Sequence, residues 1–141
     1  MTDNYTLEPR PPAVVDYMRL RAAAGMSARS VEGAEIGLPN SWFGVTIRHE
    51  GRAVGMGRVI GDGGTAFQIV DIVVEPDHQK RGLGKRIMAA LMEQLTTRAP
   101  ANAYVSLIAD GDAQFLYAKY GFAPTAPESI GMYWRVPPRP A

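Results

Sequence analysis

Val73-Val74-Glu75-Pro76-Asp77-His78-Gln79-Lys80-Arg81-Gly82-Leu83-Gly84-Lys85 is the stretch on which the fold turns. Upstream of it, the apolar run from Ile69 to Val74 is broken only by Asp71, and Pro76 stops it. Its β-branched content predicts a strand over Ala66–Val74, and near-continuous apolarity puts that strand centrally in a sheet. Downstream, Ile87, Met88, Leu91, Met92 and Leu95 form one stripe at helical spacing, which predicts a helix over Leu83–Arg98. A buried strand therefore runs through a short loop into a helix whose first turn is rich in glycine. The first N–H groups of a helix lack internal partners, and the helix dipole adds partial positive charge there. Gly82 and Gly84 let an anion approach the backbone, while Lys80, Arg81, Lys85 and Arg86 add full charges around it. The chemistry favoured is phosphate or pyrophosphate binding. A solvated basic helix start is the plainer reading of the same residues.

The rest of the chain is organised around this unit. Tyr5–Glu8 reads as a short strand closed by prolines, followed by a helix from Ala13 that Gly25 ends. Ser27 to Leu38 is ambiguous, because Val31, Ile36 and Leu38 suit a short helix that two glycines weaken. Trp42 to His49 and Ala53 to Ile60 read as strands, and Gly61-Asp62-Gly63-Gly64 as the hairpin turn into Ala66–Val74. Beyond the long helix come a strand over Tyr104 to Ala109, a helix over Ala113 to Tyr120 and a last strand over Met132 to Val136. The expected fold class is α/β in the α+β sense: a mixed, mostly antiparallel sheet with helices on its faces. Residues 1–141 read as one domain, with 136–141 a frayed proline-rich tail.

Composition narrows the function classes. A formal net charge of +1 provides no general attraction to nucleic acid or an anionic membrane, so any anion site must be local. With no cysteine, disulfides, thiolate metal sites and a cysteine nucleophile are absent, and no metal is expected. The N-terminus lacks a basic segment followed by an apolar run, and no stretch is long enough to span a bilayer. These features lead to the expectation of a cytoplasmic protein without nucleic-acid or membrane partners.

Two familiar phosphate motifs fail on spacing. A Rossmann fingerprint needs a glycine three residues after Gly84, where Ile87 stands; a Walker loop needs Ser or Thr after Lys85, where Arg86 stands. What remains is Q-x-x-G-x-G over Gln79 to Gly84. In this the chain resembles the GNAT superfamily of acyl-CoA-dependent N-acetyltransferases, whose pattern is a strand ending apolar-x-Val, a loop with proline, then R/Q-x-x-G-x-G/A. Ile72-Val73-Val74, Pro76 and Gln79 to Gly84 supply it. A second block, Ala113-Gln114-Phe115-Leu116-Tyr117-Ala118-Lys119-Tyr120-Gly121-Phe122, is similar to the family's A-x-x-L-Y-x-x-x-G-F. The first 40 residues carry the least specific resemblance.

The resemblance implies roles. The sheet is expected to splay after the strand over Ala66–Val74, with the backbone of Ile72 and Val74 bonding the pantetheine arm of acetyl-CoA. Gln79, Lys80, Arg81, Gly82, Leu83, Gly84 and Lys85 then surround the pyrophosphate. Tyr117 matches the tyrosine that serves such enzymes as general acid. A phenol of pKa ~10 beside the leaving sulfur can protonate a thiolate of pKa ~8.5, a contribution of ~10²–10⁴-fold. Its plainer role is to anchor the helix. The oxyanion donor implied is a backbone N–H near Ile72 or Val73.

Two departures from the family matter. Asp110 stands where members often carry an asparagine that contacts the cofactor; it either makes an altered contact or caps the following helix. Gln68 stands where some members carry a glutamate base, and it cannot take a proton. Asp71 is the nearest carboxylate and the candidate base, with a structural hydrogen-bonding role as its alternative; His49, Glu32 and Glu35 are weaker candidates. His78 reads as solvated, and Trp42 and Phe43 as core aromatics near the acceptor cleft. The resemblance thus implies acetyl transfer from acetyl-CoA to a primary amine by direct attack, the acceptor a small molecule. A protein lysine or N-terminus as acceptor, or a non-catalytic acyl-CoA-binding module, are the alternatives. Homodimers are common in the family, and no motif here decides the oligomeric state.

Overall fold

Strand order follows chain order in a five-stranded sheet, β1-β2-β3-β4-β5. The computed structural model describes residues 4–140; the expectations that touch 1–3 and Ala141 lie outside them. The chain divides into two compact units, one ending at Leu107 and the other starting at Ile108. The first holds β1 (Tyr5–Glu8), α1 (Val14–Ala23), α2 (Val31–Gly37), β2 (Phe43–His49), β3 (Arg52–Gly61), β4 (Ala66–Val74), α3 (Leu83–Arg98) and β5 (Tyr104–Ser106). Pairing is antiparallel from β1 to β4 and parallel between β4 and β5. This is the mixed, mostly antiparallel sheet expected.

Helices cover both faces of it. Tyr17, Leu20, Ala34 and Leu38 from the α1–α2 side form a buried cluster with Ala53, Met56 and Val73 of β3 and β4. On the other face α3 presses against Gly57, where a Cβ would lie 2.5 Å from Ile87 Cγ2 and 3.3 Å from Leu91 Cδ1. The ambiguous segment resolves as α2, whose first turn is fixed by the Ser30 hydroxyl accepting from the Gly33 N–H at 2.9 Å. The glycine that weakened the helical reading makes room for that cap, since a Cβ on Gly33 would sit 3.0 Å from Ser30 Oγ.

Two irregularities in β4 prepare the site. Arg58 pairs with Val70 and Met56 with Val73, so Asp71 and Ile72 together oppose Gly57, and Asp71 takes φ 59°. On the other edge, β4 pairs with β5 only through Ala66–Tyr104, Phe67–Val105 and Gln68–Ser106. The strand expected over Tyr104 to Ala109 therefore stops at Ser106, and the sheet opens from Ile69 onward.

The second unit contains α4 (Ala113–Ala118), which ends two residues earlier than expected. There the Tyr120 N–H turns back to the Tyr117 carbonyl at 2.9 Å and Gly121 takes φ 94°. The strand expected over Met132 to Val136 is not formed. Its alternation of side chains is strand-like, but a strand exists only through a ladder, and among its described residues this unit holds no other strand. Met132, Tyr133 and Trp134 within it are exposed.

Candidate active site

The sharp geometry begins where β4 ends. Glu75 is held by Arg52 at 2.6 Å and Arg19 at 3.2 Å, and its N–H donates to the Val54 carbonyl at 2.8 Å. Hydrogen bonding from Arg52 lowers the Glu75 pKa against the opposing effect of burial, so the anchor persists at neutral pH. A 3-10 turn over Pro76–His78 follows, and the Gln79 side chain reaches back to donate to the Val74 carbonyl at 3.1 Å. The chain then coils tightly: Lys80 takes φ 64° and Gly82 φ 80°, the latter as N-cap of α3. Gly82 brings no side-chain cap, so helix geometry leaves the first-turn N–H groups at Leu83 and Gly84 pointing outward for an external acceptor. Nothing lies within 4 Å of where a Gly82 Cβ would be. An open turn of outward N–H groups, flanked by the exposed cations Lys80 and Arg81, fits a pyrophosphate. Ile72 and Val74 precede it on the stretch of β4 that has no β5 partner, and Val73 between them is buried in the core.

Asp71 is placed differently from a base open to substrate. Its Oδ1 accepts from Arg21 Nη1 at 2.5 Å. Its Oδ2 accepts from Arg58 Nε at 2.9 Å and from the Tyr17 hydroxyl at 3.1 Å. Arg21 continues to the Ser27 carbonyl at 2.7 Å, and Arg58 to the Ser41 hydroxyl at 3.0 Å. The carboxylate thus ties α1, β3 and the bulge of β4 together in a buried cluster. Burial first, then the Asp71 charge, pushes the Tyr17 hydroxyl above its ordinary value and keeps it a donor. Sequence reading did not find Tyr17, Arg21 and Arg58 as partners of Asp71. A signal exists in α1, where Arg21 stands one helical turn from Tyr17 on the face that buries Leu20.

In the second unit, Tyr117 lies on α4, half-buried. Burial, followed by the Asp110 carboxylate, raises its hydroxyl above the ordinary phenol range. Asp110 does not cap α4 through its side chain: its carbonyl accepts the Ala113 N–H at 3.1 Å, and Asp112 is the flanking residue. His78, read as solvated, is half-buried, its Nδ1 2.7 Å from the Tyr5 hydroxyl and its ring 5.0 Å from that of His49. Trp42, read as a core aromatic, is half-buried: it packs edge-on against Phe67, with the Arg98 guanidinium over its ring. Among the described residues no group of His, Cys, Asp or Glu could hold a metal ion, and no helix is long and apolar enough to cross a membrane.

Comparison with known proteins bears on this geometry. The acetyltransferase (GNAT) domain family matches residues 26–133. An uncharacterized N-acetyltransferase, ycf52, of Porphyra purpurea is 28% identical, the match covering 95% of this chain and 78% of that protein. Its namesake in Pyropia yezoensis is 30% identical over 79% of this chain, which spans 66% of that relative. Among solved structures, a protein of unknown function from meticillin-resistant Staphylococcus aureus, described as a probable acetyltransferase, is 48% identical with a TM-score of 0.89, covering 94% of this chain and 99% of its own.

Proposed function

This chain belongs to the GNAT family of acetyltransferases, and from that premise we propose that it transfers acetyl from acetyl-CoA to a primary amine of a small molecule. One observation carries the reading: β4 loses its β5 partner after Gln68 and then runs into a glycine-started helix with outward N–H groups. An extended, amide-bearing arm can add along such an unpaired strand as another strand would. The N–H groups at Gly82, Leu83 and Gly84 hold the pyrophosphate, with Gln79, Lys80, Arg81 and Lys85 around it. When bound, acetyl-CoA supplies an activated thioester carbonyl.

The chain's own residues do the rest. Ile72 and Val74 would align the pantetheine of bound acetyl-CoA through their backbone, and an N–H at Ile72 or Val73 would be the donor to the oxyanion. Tyr117 would supply the proton to the departing thiolate. Its raised pKa keeps that proton in place across the neutral range. The sequence has no cysteine, so no cysteinyl acyl-enzyme forms; the amine attacks directly in its neutral form, and the proton it sheds passes to water as the C–S bond breaks. Asp71 has both oxygens occupied by guanidinium groups, which supports a role in holding the β4 bulge over one as proton acceptor.

CoA release measured against a panel of small amines, peptides and water tests the reading. Release stimulated by one or more small amines is the expected result. Release with peptides alone would transfer the acceptor to protein, and CoA binding without release on any amine would make the chain a binding module.

A further inference from the structure

The first unit holds a cavity of about 360 Å³ between the entry to α1 and the exit from α2. Residues 11–14 form one side of it, and Glu35, Leu38 and Pro39 the other. Both sides are fixed. Pro11, Pro12 and Pro39 have φ locked by their rings. Pro11 sits on Gly44 of β2, where a Cβ would lie 2.8 Å from Pro11 Cγ, and the Arg10 carbonyl accepts from the Thr46 hydroxyl at 2.9 Å. On the α2 side, Arg58 donates to the Gly37 carbonyl at 3.4 Å and to the Ser41 hydroxyl at 3.0 Å. Its other nitrogens hold Asp71 at the β4 bulge. Gly44 pairs with Arg58, and Arg58 with Val70, so the three share one face of the sheet. At ~4.8 Å per strand, Val70 lies about 10 Å from Gly44, and the bulge follows it directly.

We propose that this cavity seats the body of the acceptor, and that the acceptor is an amine on an apolar chain or ring with no negative charge at its far end. The inference rests on the function proposed above and names the substrate class of that site. A cavity of ~150 Å³ holds a benzene ring, so this one has room for an apolar body of roughly ten carbon atoms. Proline, alanine, valine and leucine side chains make most of its wall, and such a body is stabilised by leaving water for it. Glu35 is the one charged residue among those lining it. Among the described residues of the first unit no cation pairs with Glu35. Its carboxylate therefore repels an acceptor whose buried end carries a carboxylate or phosphate, so charge selects as well as shape. A chain seated here and running along the row from Gly44 past Arg58 to Val70 brings its amine to the bulge.

CoA release is measured with the straight-chain series from butylamine to octylamine. The value of kcat/KM is expected to rise ~3–4-fold per added methylene, as each one leaves water for the cavity. Ala13→Trp places an indole in the cavity from an exposed position. It should flatten the series while CoA affinity and the melting curve stay unchanged. With a carboxylate at the end that enters the cavity, 8-aminooctanoate should react at least ~10-fold less well than octylamine, and Glu35→Gln should narrow that difference. A flat series in the wild type, or a rising one that Ala13→Trp leaves intact, overturns the cavity as the acceptor seat and leaves acetyl transfer standing. If no amine releases CoA, acetyl transfer to amines fails, and binding alone decides the cavity. Octylamine shifting the NMR signals of Ala13, Val14 and Leu38 would then keep it as a site for apolar amines, and no shift there would overturn it as well.

Discussion

At the scale of single residues, two side chains separate chemistry from architecture. Tyr117 is held above the ordinary phenol value of 10.0, by burial first and the Asp110 carboxylate second. A donor whose pKa is raised is fully protonated below that value and is lost only as pH climbs through the raised one. The alkaline limb of kcat therefore falls above pH 10.0, and Tyr117→Phe removes it. That variant lowers kcat by ~10²–10⁴-fold while CoA affinity, measured by titration calorimetry, stays within about twofold. Asp71→Asn leaves two guanidinium groups buried without their counter-charge, a loss of about 3–5 kcal/mol. Urea denaturation should show a large drop in midpoint; an unchanged midpoint with lost turnover would return Asp71 to the role of base. The presence of a costly carboxylate inside an apolar strand was legible in the sequence. Its partners were not, because Arg21 and Arg58 lie 50 and 13 residues away and meet it only through α1 packing and the β3–β4 register.

At the scale of elements, the strand-turn-helix unit was the most legible part, since β4 and α3 carry unbroken patterns and the turn between them is punctuated by Pro76, Gly82 and Gly84. The bulge at Asp71 and Ile72 was not, because a bulge is a property of two strands paired and not of one sequence. The short β5 escaped for a similar reason: Leu107, Ile108 and Ala109 extend the apolar run, while pairing to β4 ends at Ser106. Close packing of α3 on the sheet yields a further prediction. Gly57→Ala places a Cβ 2.5 Å from the branched Ile87 side chain, which has little freedom to withdraw. The expected loss is about 1–3 kcal/mol in denaturant unfolding, and pairing it with Ile87→Val restores part of it. A neutral Gly57→Ala would mean that α3 sits farther from β3.

At the scale of the whole molecule, the order of elements belongs to the GNAT fold, and the sequence order of its two motif blocks was enough to anticipate it. The last 34 residues were the least legible, since their strand-like alternation describes what the segment can do and not what it pairs with. We propose that the turn over Gln79 to Lys85 holds CoA by its pyrophosphate. Gly84→Asp keeps a residue well suited to the first turn of a helix while placing a carboxylate where the phosphates would lie. The direct measurement is calorimetric titration of CoA into the wild-type protein and into this variant, with thermal unfolding of both as a control. The expected result is one CoA per chain for the wild type, affinity reduced at least ~100-fold in Gly84→Asp by charge repulsion in the cradle, and matching melting curves. Equal affinity in the two proteins, or no CoA binding by the wild type, would contradict it.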